Sequence, residues 1–311
     1  MACIEKQLNI DNFSWSLRRK HYFNSCKLAY LFHYHFAHGG HARYSPDSCQ
    51  QLYRLKYLQH ADNWLRGILA AAIRSTFNCG QFHLNDRAAA ETLQRHAFEL
   101  FRHGWAECKL KEWRQDAKTT NIFEIYYAPH LDMKIMFNEW LNRLEYWLKA
   151  FIANSLFHKL CQLDNLNWWQ FNTPSSFNVN NIPVWANPIL AWRDHEYGAM
   201  LLLRHDNSDE LAHIETAIGS LLISQHSHLE PPIQEIMLYM PGNDDIFIRH
   251  PTEQELLQCR TMIIQSSAEM QDFEAALLDN MVVNGQKTAY CTNCNFKEFC
   301  QEYNYFVDGI Q

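Results

Sequence analysis

Apolar residues recur at three- and four-residue intervals through "CQQLYRLKYLQHADNWLRGILAAAIRSTF", "DRAAAETLQRHAFELFRHGWAECKLKEWRQ" and "LDMKIMFNEWLNRLEYWLKAFIANSLFHKL", with almost no Gly or Pro to interrupt them. That period sets the apolar side chains along one stripe of a helix, so residues 50–163 are expected to be packed amphipathic helices. After Leu163 the texture changes to "NWWQFNTPSSFNVNNIPVWANPILAWRDHEYGAMLLLRH", where short aromatic and aliphatic runs alternate with Asn, Pro and Gly. This predicts a strand meander. "DELAHIETAIGSLLISQ" returns to the helical period, "IQEIMLYMPG" reads as a buried strand, and "TEQELLQCRTMIIQSSAEMQDFEAALLDNM" as a long helix. The expected fold is α/β: a core sheet flanked by helices, in one domain over 1–311, with residues 50–163 as a helical insertion.

Composition adds little to this picture. Hydrophobic residues make up 47% and charged ones 20%, which is ordinary for a globular chain and too apolar for a disordered one. A formal charge of −7 gives no global basic field for nucleic acid, leaving only a local basic groove open. The first residues lack a charged head followed by an apolar stretch, and no long apolar run occurs, so a cytoplasmic protein without a membrane partner is expected. In that compartment the ten cysteines are expected to be reduced thiols.

Six of them, Cys3, Cys49, Cys79, Cys108, Cys161 and Cys259, are scattered without ligand-like spacing. Cys291, Cys294 and Cys300 are different, standing as C-x2-C-x5-C in "YCTNCNFKEFC". Three close thiolates suit zinc or an iron-sulfur cluster, and both usually need a fourth ligand. Candidates are Cys26, in the helix-like "FSWSLRRKHYFNSCKLAYLFHYHFAHGG", or a histidine such as His33 or His35 completing a zinc site. His38 and His41 extend the same run, which is read as a loop or core rim. Trp168 and Trp169 are read as core packing or as a stacking platform for bases.

One helix with a single Cys followed by aromatics, joined to a distant C-x2-C-x5-C, resembles the iron-sulfur branch of the PD-(D/E)XK nuclease superfamily. That branch includes RecB-like nucleases, AddB-type helicase partners and CRISPR-associated iron-sulfur nucleases. "LYRLKYLQHADNW", "EIYYAPH" and "IPVWANPILAWRD" are similar to further segments of the family, so the resemblance runs through nearly the whole chain. It implies a PD-(D/E)XK restriction-endonuclease-like core and a [4Fe-4S] cluster on Cys26, Cys291, Cys294 and Cys300, with zinc as the alternative.

The family's chemistry uses carboxylates to hold Mg2+ or Mn2+, and a Lys beside the attacking hydroxide. At the matching positions this chain has Ala70 where the family has His, Ile189 for the metal-binding Asp, and Leu202 and Arg204 for the acid and Lys of (D/E)-x-K. His213 and Ala217 replace a Gln and a Tyr. The resemblance therefore implies a pseudonuclease. Asp132 with Lys134, and Asp194, His195 and Glu196, are the acids a relocated active site would use, and are read as a helix start and a hairpin turn. Arg18, Arg19, Lys20, Arg43 and Lys56, together with Lys27 and Arg54, are candidate DNA contacts near the cysteines. The expected role is a DNA-binding or scaffolding subunit of a genome-maintenance or mobile-DNA-defence complex, beside a helicase, ATPase or nuclease.

Overall fold

A computed structural model describes residues 13–78, 85–163, 168–169, 174–194, 197–203, 208–226, 233–241, 245–278 and 287–302. A two-residue strand β1 (Trp15–Ser16) leads into α1 (Leu17–Ser25) and α2 (Lys27–Leu31), followed by a π-helical turn over Phe32–Phe36. Next come α3 (Asp47–Lys56), α4 (Ala61–Asn78), α5 (Asp86–Leu110), α6 (Phe123–Tyr127), α7 (Met133–Ala153) and α8 (Ser155–Gln162). Strands β2 (Trp168–Trp169), β3 (Ser175–Val179), β4 (Ile182–Ala186), β5 (Leu190–Asp194) and β6 (Tyr197–Leu203) form the meander. The rest is α9 (Asp209–His226), β7 (Ile233–Met240), β8 (Asp245–Arg249), α10 (Glu253–Leu278), a 3-10 turn over Ala289–Asn293, and α11 (Lys297–Glu302).

The fold is mixed α/β with two small sheets, of order β1-β4-β3 and β2-β5-β6-β7-β8. β6 and β7 run parallel, joined across α9, whereas β5–β6 and β7–β8 are antiparallel. Asn180 and Asn181, both at positive φ (48° and 65°), turn β3 into β4 in two residues, a conformation Asn tolerates better than bulkier side chains.

The larger sheet divides the core by the two-residue alternation of its strands. Ala199, Leu201 and Leu203 of β6 pack with Leu190 and Trp192 of β5 against α4, α5, α7 and α8. Met200 and Leu202 face the other way, toward α9, α10 and the N-terminal helices. Residues 50–163 therefore share one core with a face of the sheet, and Leu52, Leu55, Leu58 and Phe123 contribute to the opposite core as well. Gly104 allows α5 its close approach to α4, since a Cβ there would stand 2.8 Å from the Thr120 hydroxyl and 3.0 Å from the Trp64 indole nitrogen.

Two expectations shift at this level. The first predicted helix is two, α3 and α4, interrupted where Gln59 bridges to Ile122. The third breaks at Asn154, whose side chain caps α8 by accepting the Leu156 N–H at 2.9 Å.

Candidate metal centre

Cys26 interrupts what would otherwise be one helix. Its backbone is extended (φ −163°, ψ 116°), so it ends α1 and caps α2 at once, and its sulfur accepts the Ala29 N–H at 3.5 Å. A sulfur at a helix N-terminus meets free backbone N–H groups. Cys291 lies in the 3-10 turn with its sulfur accepting the Thr288 N–H at 3.5 Å, and the Cys294 sulfur accepts from Phe296 N–H at 3.4 Å. Cys300 sits in α11.

All four are free thiols, and they are electrostatic neighbours. Burial first, then charge on Cys26 and Cys291, pushes the Cys294 thiol up to about 12. Burial does the same to Cys300, reinforced by Cys294, Cys26 and Cys291. The fold thus brings the N-terminal cysteine to the C-terminal trio. Sulfur donors of this kind are the type that zinc and iron-sulfur clusters take. No three His, Cys, Asp or Glu among the described residues form a group that could hold one metal ion.

The cysteine loop is fastened to the helical segment by polar contacts. Buried Asn295 donates to the carbonyls of Leu58 at 2.8 Å and Leu55 at 3.2 Å, and its own carbonyl accepts from the Tyr127 hydroxyl at 2.6 Å. Phe296 and Phe299 close on Phe32, with ring centroids at 5.5 and 5.3 Å. His60 Nε2 meets the Asn293 carbonyl at 3.0 Å, and its Nδ1 lies 3.6 Å from Glu124 Oε1.

The Glu124 hydrogen bond raises the His60 pKa above 6.5 against a burial penalty. Burial pushes the Glu124 carboxyl up, but the bond from His60 and backbone N–H groups outweigh it and the pKa falls below 4.5. His60 therefore contributes stability below pH 6.5 that is lost as pH rises through its folded pKa. Glu124 contributes above pH 4.5, and loses it on acidification. Both groups are about a third exposed, which screens the pair to no more than about 1 kcal/mol. Urea melts at pH 6 and pH 8 are expected to show wild type losing more stability over that interval than His60→Gln; identical losses would remove His60 from the pH response.

The expected nuclease positions are apolar and dispersed. Ala70 of α4 and Ile189, just before β5, lie in the core against the helical segment, whereas Leu202 projects through the sheet to the other core. Leu202 thus cannot stand for an acid converging with the other two. The residues sharing their side are Leu201 and Leu203, and a register counted from sequence spacing misses this because Ile189 precedes the regular strand. Arg204, His195 and Glu196 lie outside the described residues. Asp132 caps α7, accepting the Lys134 N–H at 2.7 Å, and Ala217 is buried. His213 joins Glu255 and Arg249 at the start of α10.

Of the candidate DNA contacts, Arg18 and Arg43 are exposed and Lys20 and Lys56 half-buried. Arg18, Arg19 and Lys56 lie close together, since burial and the two arginine charges lower the Lys56 pKa. Arg19 is a correction. Its side chain is buried and consumed by Glu274 Oε1 (2.8 Å), the Tyr30 hydroxyl (3.0 Å) and the Ser14 carbonyl (2.9 Å), so it cannot reach a phosphate. His35 also points to Glu274 Oε1, at 3.0 Å, and Tyr30 donates to the same oxygen. His33 packs between Tyr22 and Tyr34, at 4.7 and 4.4 Å, where burial holds its pKa well below the usual value. Both histidines are buried, on a π-helix rather than a loop.

Cys49 also departs from expectation: it is disulfide-bonded. Compared with family models, curated proteins and solved structures, the chain matches none. Among the described residues no helix is long and apolar enough to cross a membrane.

Proposed function

We propose that this chain is a non-catalytic PD-(D/E)XK-like module in which Cys26, Cys291, Cys294 and Cys300 hold a [4Fe-4S] cluster that staples the first helices to the last turn. The observation carrying the reading is the meeting of Cys26 with the C-terminal trio, since Cys26 and Cys291 both bear on Cys294 and Cys300. When bound, the cluster supplies cross-linking and positive charge, and no bond-breaking step is assigned to it. The absence of catalysis is supported by the buried apolar side chains of Ala70, Ile189 and Leu202, which offer no oxygen to a hydrated Mg2+. The module serves as a nucleic-acid-binding or scaffolding subunit beside a helicase, ATPase or nuclease.

Anaerobic purification is expected to return a brown protein with roughly four irons per chain and sulfide to match. Stoichiometric zinc with neither iron nor sulfide would replace the cluster by a zinc site on the same thiols. Incubation of the metal-loaded chain with single-stranded or duplex DNA in Mg2+ or Mn2+ is expected to give no cleavage. Robust cutting that is lost on mutating an acid would make it an enzyme with a relocated site.

A further inference from the structure

Beside the cysteine loop, rings and cations alternate along α3, α6 and the turn after α5. Tyr53 and Tyr57 of α3 stand 5.1 Å apart, with exposed His41 5.7 Å from Tyr53. Gly40 makes that approach possible, because a Cβ there would stand 2.7 Å from the Cβ of Tyr53. Across from α3, Trp113 meets Tyr126 at 5.4 Å and Tyr126 meets Tyr127 at 4.9 Å. All five of these Tyr and Trp residues are partly exposed, and the pairs are tilted or edge-on rather than stacked face to face on one another.

Cations occupy the gaps. The Arg54 and Arg114 charges both bear on Tyr126, linking α3 to the far side of the arc. Arg114 lies 5.5 Å from the Trp113 ring centre, Lys56 6.0 Å from that of Tyr57, and Lys297 of the cysteine loop 4.1 Å from that of Tyr127. On a chain of net charge −7 this is a local exception.

We propose that this arc binds single-stranded nucleic acid, with bases on the rings and phosphates along Arg54, Arg114 and Lys297. Stacking platforms interleaved with cations suit a strand whose bases are unpaired, because every base has a flat face and every linkage one negative charge. The cations favour a polyanion over a neutral proline-rich peptide, the other ligand that aromatic grooves take. The site deepens the reading of a non-catalytic module and does not depend on which metal the thiols hold.

The test is fluorescence anisotropy of the metal-loaded full chain with labelled oligothymidylate of about 20 nucleotides and a duplex of equal length. Wild type is expected to prefer the single strand, with affinity falling as salt rises. Tyr53→Leu with Tyr57→Leu, which removes the rings but keeps apolar volume, is expected to weaken binding about tenfold or more. Arg114→Ala is expected to reduce the salt slope by about 0.7, while Arg87→Ala, an exposed charge on α5, leaves it unchanged. No binding by the metal-loaded chain, a preference for duplex, or equal effects of Arg87→Ala and Arg114→Ala would overturn the arc, as would capture of a proline-rich peptide in place of the oligonucleotide. Cleavage of the bound strand would overturn the non-catalytic reading and leave the arc standing.

Discussion

Cys26→Ser is expected to lose metal and stability to the same extent as Cys294→Ser, although the two positions are 268 residues apart (294 − 26). Each change removes one sulfur from a four-thiol site whose remaining members then sit together without a full ligand set. Binding of a structural zinc by small domains releases about 10–16 kcal/mol, so losing a quarter of such a site costs several kcal/mol even in a chain with a sizeable core. Cys259→Ser provides the contrast: that thiol is buried elsewhere, with burial pushing it up to about 11, so its replacement should lower the melting temperature while metal content stays full. Metal analysis beside thermal melts separates the cases. Full metal retention in Cys26→Ser would remove the N-terminal helix from the site.

The second large effect is expected at Glu274, whose carboxylate is buried and accepts Arg19, Tyr30 and His35 on one oxygen. Glu274→Gln leaves the Arg19 guanidinium charged in an apolar setting, and a buried pair broken on one side costs about 3–5 kcal/mol. Tyr30→Phe removes a neutral hydroxyl that donates to Glu274 and accepts from Arg19, and is expected to cost about 1.5–3 kcal/mol. Replacing both charges, Arg19→Met with Glu274→Leu, should restore much of the loss, because two desolvated ions are removed together. Urea unfolding of wild type, Arg19→Met, Glu274→Leu and the double variant closes the cycle. A double variant as unstable as the sum of its singles would show that the two groups act independently.

The C-terminal cysteine trio stands out by its spacing alone, and the helices were legible because a long apolar stripe survives local irregularity. Strand β7 and helices α9 and α10 could be read for the same reason. Glu274 could not be read. It lies in a helix whose other face is exposed, and its partner Arg19 is 255 residues away in an ordinary basic run, so no periodicity marks either as buried. The aromatic arc was hidden likewise, since α3, the turn near Trp113 and α6 meet only in three dimensions. The side of the sheet taken by Leu202 depended on one irregular residue before β5, which spacing does not reveal.

The ties between the chain's beginning and its end also set a timetable. Trp15 donates to the Ser266 hydroxyl across 251 residues, and Arg19 waits for Glu274 across 255. At a synthesis rate of about 5–20 residues per second, Arg19 leaves the ribosome roughly 13 to 51 s before its carboxylate exists. During that interval the N-terminal helices have no partner for their buried charge, and Cys26 has none of its companion sulfurs. The nascent protein can complete its helical segment early, but the stretch from Trp15 to Phe36 settles only once α10 has been made, which makes it the part a chaperone would be needed to shield.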